Sequence, residues 1–205
     1  LDVGTGASSI YCLLGAREYG WSFVGSDIDG VALESARGIV KENDLGSQIE
    51  LRHQPSSERV FTGLVRPGET FALSVCNPPF HESLEHAHRS AGAKWQRMGR
   101  SAQGQQLNYQ GKENELWCEG GEVGFVTRMA EESAQEHLRG ACIWFSAMLS
   151  RESSLEPVWA RLGELGARRR SFDLQQGKMT RWVVAWTFLG RAEREQRLRT
   201  LAAAA

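Results

Sequence analysis

A chain of 205 residues with 24 lysines and arginines against 25 acids carries a net charge of -1, so any site for a polyanion must be a local concentration of charge. That length suits one domain burying roughly 70% of the surface its unfolded form exposes. No run approaches the roughly 18 apolar residues of a membrane span, and no signal-peptide pattern opens the chain. The four cysteines form no C-x-x-C pair, so a soluble, cytoplasmic protein with buried free thiols is expected.

The predicted elements alternate in type. "LDV" reads as the tail of a strand whose start lies upstream, and a glycine turn leads from it to an apolar helix over residues 8–19. "WSFVGSDI" is strand-like. "GVALESARGIVKEN" places Val31, Ala32, Ser35, Ala36, Ile39 and Val40 on one helical face, and "QIELRH" and "FALSVC" are two further strands. After a long irregular stretch, "GEVGFVTRMAEESAQEHL" carries Val123, Val126, Met129 and Ala130 at helical spacing, and "ACIWFSAML" is a continuous buried strand. Ser154 is expected to cap a helix that Leu165-Gly166 closes. "RRRSFDLQQGKMTRWVVAWTF" then resembles a hairpin turning near Gln176-Gly177. This pattern predicts an α/β fold, a mostly parallel, doubly wound sheet finished by a C-terminal antiparallel hairpin. Residues 1–190 form the expected domain, and residues 191–205, charged and then alanine-only, a frayed or added tail.

In such sheets ligands bind beyond the carboxyl ends of the strands. "LDVGTGASS" offers Gly4 and Gly6, where the backbone can pass close to a ligand. A dinucleotide fingerprint would need glycine at position 9, where this chain has Ser9. Asp27 lies 21 residues beyond Gly6, the usual place for an acid that receives a ribose hydroxyl pair, with Asp29 better placed to cap the next helix. A glycine loop and a ribose acid without a pyrophosphate cradle suit a nucleoside such as S-adenosylmethionine.

The fourth strand ends in "CNPPF". Pro78 and Pro79 fix the backbone, so that the Asn77 amide oxygen and a proline carbonyl can accept hydrogen bonds from one NH2 group while Phe80 offers a stacking face. Two acceptors draw the nitrogen of an exocyclic amine toward tetrahedral geometry and stabilise the positive charge that grows on it during methyl transfer. Adenine N6 and a glutamine amide both fit that description.

"LDVGTG", "GSDID" and "CNPPF" resemble the motifs of class I S-adenosylmethionine-dependent amino methyltransferases. "NELWCEGGEVGFVTRMAEES" and "GKMTRWVVAWTF" are similar, more narrowly, to the bacterial 23S ribosomal RNA adenine-N6 methyltransferase F family, related to the methyltransferase-like 16 RNA enzymes. The resemblance runs from Leu1 to about Leu189. It implies a Rossmann-like sheet and methyl transfer to N6 of one adenosine in 23S ribosomal RNA, free or within a large-subunit assembly intermediate. It also implies catalytic roles for Asn77, Pro78, Pro79 and Phe80, and cofactor contacts from Asp2, Gly4, Thr5, Gly6 and Asp27. His53 and Gln54 are the candidates beside the cofactor adenine. The resemblance also implies a region upstream of the first strand.

Residues 86–112 contain no acid, while Arg89, Lys94, Arg97, Arg100 and Lys112 are basic and Trp95 and Tyr109 are interleaved. This stretch reads as a mobile substrate loop that holds RNA, with Arg89, Lys94, Trp95, Arg97 and Arg100 as contacts. The target adenine must be unstacked to reach Asn77. His81, His86 and His88 lack the cysteines or acids that would complete a metal site, so no metal is expected. Arg168 to Arg170 read as strand-edge residues, and Glu122 as an acid favouring a helix N-terminus. A monomer is expected. Two rival functions remain: an N5-glutamine methyltransferase acting on a protein such as a release factor, whose relatives usually carry tyrosine in place of Phe80, and a non-catalytic RNA-binding module.

Overall fold

A computed structural model describes residues 1–79, 118–177 and 179–204. Phe80, the three histidines of 81–88 and the whole of the basic segment 86–112 lie outside the described residues.

The elements in chain order are β1 (Asp2–Val3), α1 (Ile10–Tyr19), β2 (Phe23–Asp27), α2 (Gly30–Glu42), β3 (Ile49–His53), β4 (Phe71–Leu73), β5 (Val75–Cys76), α3 (Gly121–Ser133), β6 (Cys142–Leu149), α4 (Leu155–Glu164), β7 (Arg168–Gln176), β8 (Met179–Thr187) and α5 (Arg191–Ala204). One sheet runs β3-β2-β1-β5 with every pair parallel. The other runs β4-β6-β8-β7; β4 and β6 are parallel, and β8 is antiparallel to both of its neighbours. The expected α/β architecture with a closing antiparallel hairpin is present. Val24 belongs to the larger hydrophobic cluster and its neighbour Phe23 packs on the smaller one formed by Cys12, Ala16, Val40, Leu45 and Ile49. Side chains alternate along a strand, so the two clusters cover opposite faces.

Several sequence expectations need correction. The stretch over 71–76 is two strands rather than one. Leu73 is in register with Trp144 while Val75 is in register with Asp2, and the ladder changes partner at the fully buried Ser74. Ser74 Oγ accepts the N–H of Ser146 and its carbonyl accepts the Ser146 hydroxyl at 2.7 Å, so the interruption is satisfied by side chains, and Phe71–Cys76 joins the two sheets. The buried face of α2 is Ala32, Leu33, Ala36 and Val40; Val31 and Ser35 are exposed. The helix α3 stops at Ser133 instead of continuing to Leu138. Its last turn is tied down by the core, where Trp186 Nε1 donates to Ser133 Oγ at 2.9 Å and that hydroxyl donates to Ala130 O. Residues 191–204 form the helix α5 with anchors of its own: Arg197 donates to Gly140 O and Arg194 to Leu189 O, both at 2.6 Å.

Other expectations hold. Asp29 caps α2, accepting from the N–H groups of Val31 and Ala32, an interaction worth typically about 1 kcal/mol. Gly166, at φ 72°, ends α4, and β7 is an edge strand. Among the described residues no helix is long and apolar enough to cross a membrane.

Candidate active site

The site is built from the backbone outward. At the end of β1 the chain turns back through Gly4 and Gly6, at φ 73° and 63°, a region that L side chains rarely adopt. The N–H groups of Gly4 and Thr5 both donate to Ser26 O, at 2.9 and 2.8 Å, which ties this loop to β2. Gly6 N–H donates to Asp27 Oδ2 at 2.9 Å, and Asp29 N–H donates to Asp27 Oδ1 at 2.9 Å. The buried Asp27 carboxylate therefore joins the loops after β1 and β2 and retains a second lone-pair position on each oxygen. Ser9 itself adopts a left-handed conformation, φ 48°, with its hydroxyl 3.0 Å from Thr5 Oγ1. The position where the dinucleotide fingerprint has glycine is thus occupied by a serine in a left-handed conformation.

Asp2 supports this turn from below. Its side chain is 1% exposed; Oδ2 accepts the Thr5 hydroxyl at 2.7 Å and the Cys12 thiol at 3.5 Å, while Oδ1 is buried without a hydrogen-bond partner among the described residues. Burial pushes the Asp2 carboxyl above the ordinary carboxylate range, against the Thr5 and Cys12 hydrogen bonds. Burial, with the charge of Asp2 adding to it, pushes the Cys12 thiol up to about 11, so it stays protonated and acts as a donor.

A cavity of about 300 Å³ opens at the carboxyl ends of β1, β2, β3 and β5. Gly4, Thr5, Gly6, Asp27, Gln54, Asn77, Pro78 and Pro79 line it, so the structure brings these sequence candidates together. Asn77 is exposed and forms no hydrogen bond with another described residue, so its amide is available to a ligand. Asp2 and His53 are not among the lining residues. His53 lies outside, with Nε2 3.1 Å from Ile28 O. Gln54 lines the wall with both ends of its amide committed, donating to Thr62 O at 3.2 Å and accepting from Ser56 N–H at 3.2 Å.

Sequence reasoning missed Ser8, Tyr11, Ser57, Arg59, Val60 and Phe125, which also line the cavity. It missed as well what holds the wall. Glu132, buried on α3, accepts the N–H groups of Val60 and Thr62, each at 2.6 Å, and Arg128 one turn earlier donates to Ser57 O at 2.9 Å. In sequence these two look like ordinary charges on a helix. Two more corrections concern α3 and α4. Glu122 is buried and accepts Ser150 N–H at 2.7 Å and the Ser154 hydroxyl at 2.6 Å, so it braces the β6–α4 connection beyond its place in the first turn of α3. Ser154 spends its hydroxyl on Glu122 and makes no cap hydrogen bond to α4. Gly120 and Gly121, at φ 75° and 58°, shape the entry to α3, and a Cβ on Gly124 would stand 2.6 Å from Glu119 O. Among the described residues no group of three His, Cys, Asp or Glu side chains is arranged to hold a metal ion.

This arrangement provides a cavity of about 300 Å³ with a buried carboxylate on its wall and, beside two prolines, an amide that no described residue engages. The family model described as RNA methyltransferase matches residues 1–190. The chain belongs to that RNA methyltransferase family. The ribosomal RNA large subunit methyltransferase F of Aeromonas salmonicida (strain A449) is 47% identical over 191 residues, covering 92% of this chain and 59% of that protein. The chain spans about six-tenths of the length of the curated relatives it matches. The human METTL16 catalytic domain solved in complex with MAT2A 3'UTR hairpin 1 superposes with a TM-score of 0.77 at 31% identity, covering 93% of this chain and 63% of that one. The N-terminal domain of human METTL16 in complex with SAH gives 0.68 at 28% identity, covering 92% of this chain and 60% of that one.

Proposed function

We propose that the protein transfers a methyl group from S-adenosylmethionine to N6 of one adenosine in 23S ribosomal RNA. The observation that carries this reading is that the unpaired Asn77 amide and the Pro78–Pro79 corner line the same cavity as the Gly4–Gly6 loop and Asp27. Membership in the RNA methyltransferase family and the name of the Aeromonas relative support RNA, and its large-subunit ribosomal form, as substrate. The SAH-bound METTL16 domain supports the choice of methyl donor.

The residues fit that donor. The free acceptor positions of Asp27 suit the ribose hydroxyls, and Ile28, Val60 and Phe125 give the cavity apolar surface for a flat base. S-adenosylmethionine supplies an electrophilic sulfonium methyl. Asn77 Oδ1 and the Pro78 carbonyl accept from the N6 amino group and orient its lone pair; the C–S bond breaks as the N–C bond forms, and the surplus proton leaves to water. Positioning and two acceptors suffice, and no strong general base is required. Phe80, next in sequence, is assigned the stacking face for the flipped adenine, and the acid-free segment 86–112 is assigned to RNA contact.

The test offers labelled S-adenosylmethionine to the protein with unmodified 23S ribosomal RNA and with a release-factor protein in parallel, followed by mass spectrometry of the digests. N6-methyladenosine at one position supports this reading. Methylglutamine with unlabelled RNA replaces it with the protein-modifying alternative, and failure to bind the donor replaces it with the non-catalytic RNA-binding module.

A further inference from the structure

All four cation–π contacts among the described residues fall around one end of the second sheet. Arg170 and Arg194 approach the same indole, with Cζ 5.8 and 5.1 Å from the Trp144 ring; Arg139 lies 4.9 Å over Phe188, and Arg169 lies 5.3 Å over Trp159. The backbone makes this convergence. β7 is the free edge of the sheet, so its opening residues send Arg168 and Arg170 to one face and Arg169 to the other. Arg168 is in register with Thr187, the residue before Phe188. The contacts of Arg197 with Gly140 O and of Arg194 with Leu189 O fasten α5 against the start of β6 and so bring Arg194 to Trp144.

The arginines at this corner are set apart by their aromatic supports, since Arg17, Arg59, Arg128, Arg151, Arg181 and Arg199 also pair with no acid among the described residues but none of them stands over a ring. Arg37, Arg52, Arg66, Arg161, Arg191 and Arg197 each pair with a glutamate. Among the described residues Arg139, Arg168, Arg169, Arg170 and Arg194 pair with none, and the two acids on α5, Glu193 and Glu195, are taken by Arg197 and Arg191. A guanidinium over a ring is held in place without being neutralised, and apart from the N–H that Arg194 gives to Leu189 O, the guanidinium donors of these arginines make no hydrogen bond to another described residue. In a chain of net charge -1, unneutralised positive charge is gathered here.

We propose that this corner is a second docking surface for RNA, one that grips the phosphodiester backbone. It rests on the reading of RNA as substrate. Preorganised guanidinium groups match phosphate oxygens, and strongly basic, polar surfaces are the usual footprint of nucleic acid. An acidic protein partner is the less suitable occupant, because Trp144, Phe188 and Trp159 are covered by arginines and the exposed Phe172 and Leu174 lie farther along β7, beyond the cluster of charge. The corner lies toward the start of β6 and away from the cavity: Trp144 is level with Leu73, the cavity begins three residues on at Cys76, about 10 Å at 3.3 Å per residue, and β7 stands two strands beyond β6, about 10 Å more to the side. An RNA that extends beyond its target loop reaches both places.

The test compares the unaltered protein with the triple variant Arg139→Gln/Arg168→Gln/Arg170→Gln, and with the single variants Arg139→Gln and Arg168→Gln in case the triple variant misfolds. Binding is measured across a salt series to a long 23S RNA fragment and to a minimal hairpin carrying the target loop. The proposal predicts about tenfold weaker binding of the long fragment by the triple variant, and a salt slope reduced by about 0.7–0.9 for each arginine removed. Hairpin binding, donor binding and turnover on saturating hairpin stay unchanged. Unchanged affinity and slope for the long fragment overturn it. So does selective loss of binding to polyglutamate, which would assign the corner to an acidic protein. If the unaltered protein methylates no RNA, the RNA reading itself fails and this surface falls with it.

Discussion

Asp27 accepts the backbone N–H of Gly6 at 2.9 Å, so the last residue of β2 closes onto the glycine loop that follows β1. One carboxylate then both shapes the cavity and presents acceptors to it. Asp27→Asn puts an NH2 group against a backbone N–H and removes the charge. Donor affinity, measured calorimetrically, is expected to fall at least about tenfold, consistent with the loss of a charge-assisted hydrogen bond. Far-UV circular dichroism should be unaltered. Unchanged affinity would remove Asp27 from the binding site.

Glu132 stands outside the cavity and acts on it through Val60 and Thr62. In Glu132→Gln only one of the two N–H groups keeps a good acceptor. Stability should drop by about 1–3 kcal/mol, the usual cost of an unsatisfied buried donor. The distinguishing result is a rise in KM for S-adenosylmethionine with kcat at saturation little changed. Equal losses in both would place Glu132 in the chemistry instead.

Ser9 offers a test of the glycine-loop geometry. Its positive φ is one that glycine adopts freely, so Ser9→Gly relieves strain while losing the contact with Thr5 Oγ1, and the net change in stability should be within about 1 kcal/mol. Ser9→Val puts a β-branched side chain at the same φ in a fully buried position and should cost more than about 2 kcal/mol by chemical denaturation.

A group of charges on β3 predicts the acid limb of stability. Hydrogen bonds from Arg52, supported by Arg66, hold the Glu50 carboxyl down at about 2, and Arg52 also lowers Glu69. Because these values are depressed, their stabilisation is complete above the ordinary carboxylate value of 4.5 and is lost as pH falls from there toward 2. Asp2, raised by burial, has the opposite sign and loses its penalty when protonated. Calorimetric Tm should therefore fall below pH 4.5. Glu50→Gln/Glu69→Gln should flatten that limb, with a smaller contrast at high salt because Glu50 is nearly half exposed.

The legible parts of this protein were those in which neighbouring residues carry the signal. The Gly4–Gly6 turn, the Asp29 cap and the hairpin closed by Gln176 and Met179 follow from local rules. Asp27 at the end of β2 and Asn77 just after β5 were legible as candidates because they stand at the edge where such sheets bind ligands, and the structure brings both to one cavity. Glu122, Glu132 and Arg128 were not legible, since helical spacing says which way they point and nothing about the loops they meet; the Glu132 contacts span 72 and 70 positions. The same holds for the break at Ser74, which depends on Ser146 in a strand 72 positions away. The arginines of β7 were legible as an edge, but the rings under Arg169 and Arg170, Trp159 and Trp144, come from α4 and β6.

The central claim is that the Gly4–Gly6/Asp27 cavity and the Asn77–Pro79 corner are two parts of one site, the first binding the methyl donor and the second presenting the acceptor. Asn77→Ala separates them most directly, with donor affinity read by calorimetry and methyl transfer to 23S ribosomal RNA read in a single turnover. The account predicts donor affinity within about twofold of the unaltered protein and transfer slowed at least about 100-fold, the loss typical of removing one preorganised hydrogen-bonding group from a transition state. Transfer within about tenfold of the unaltered rate, with donor binding intact, would contradict it.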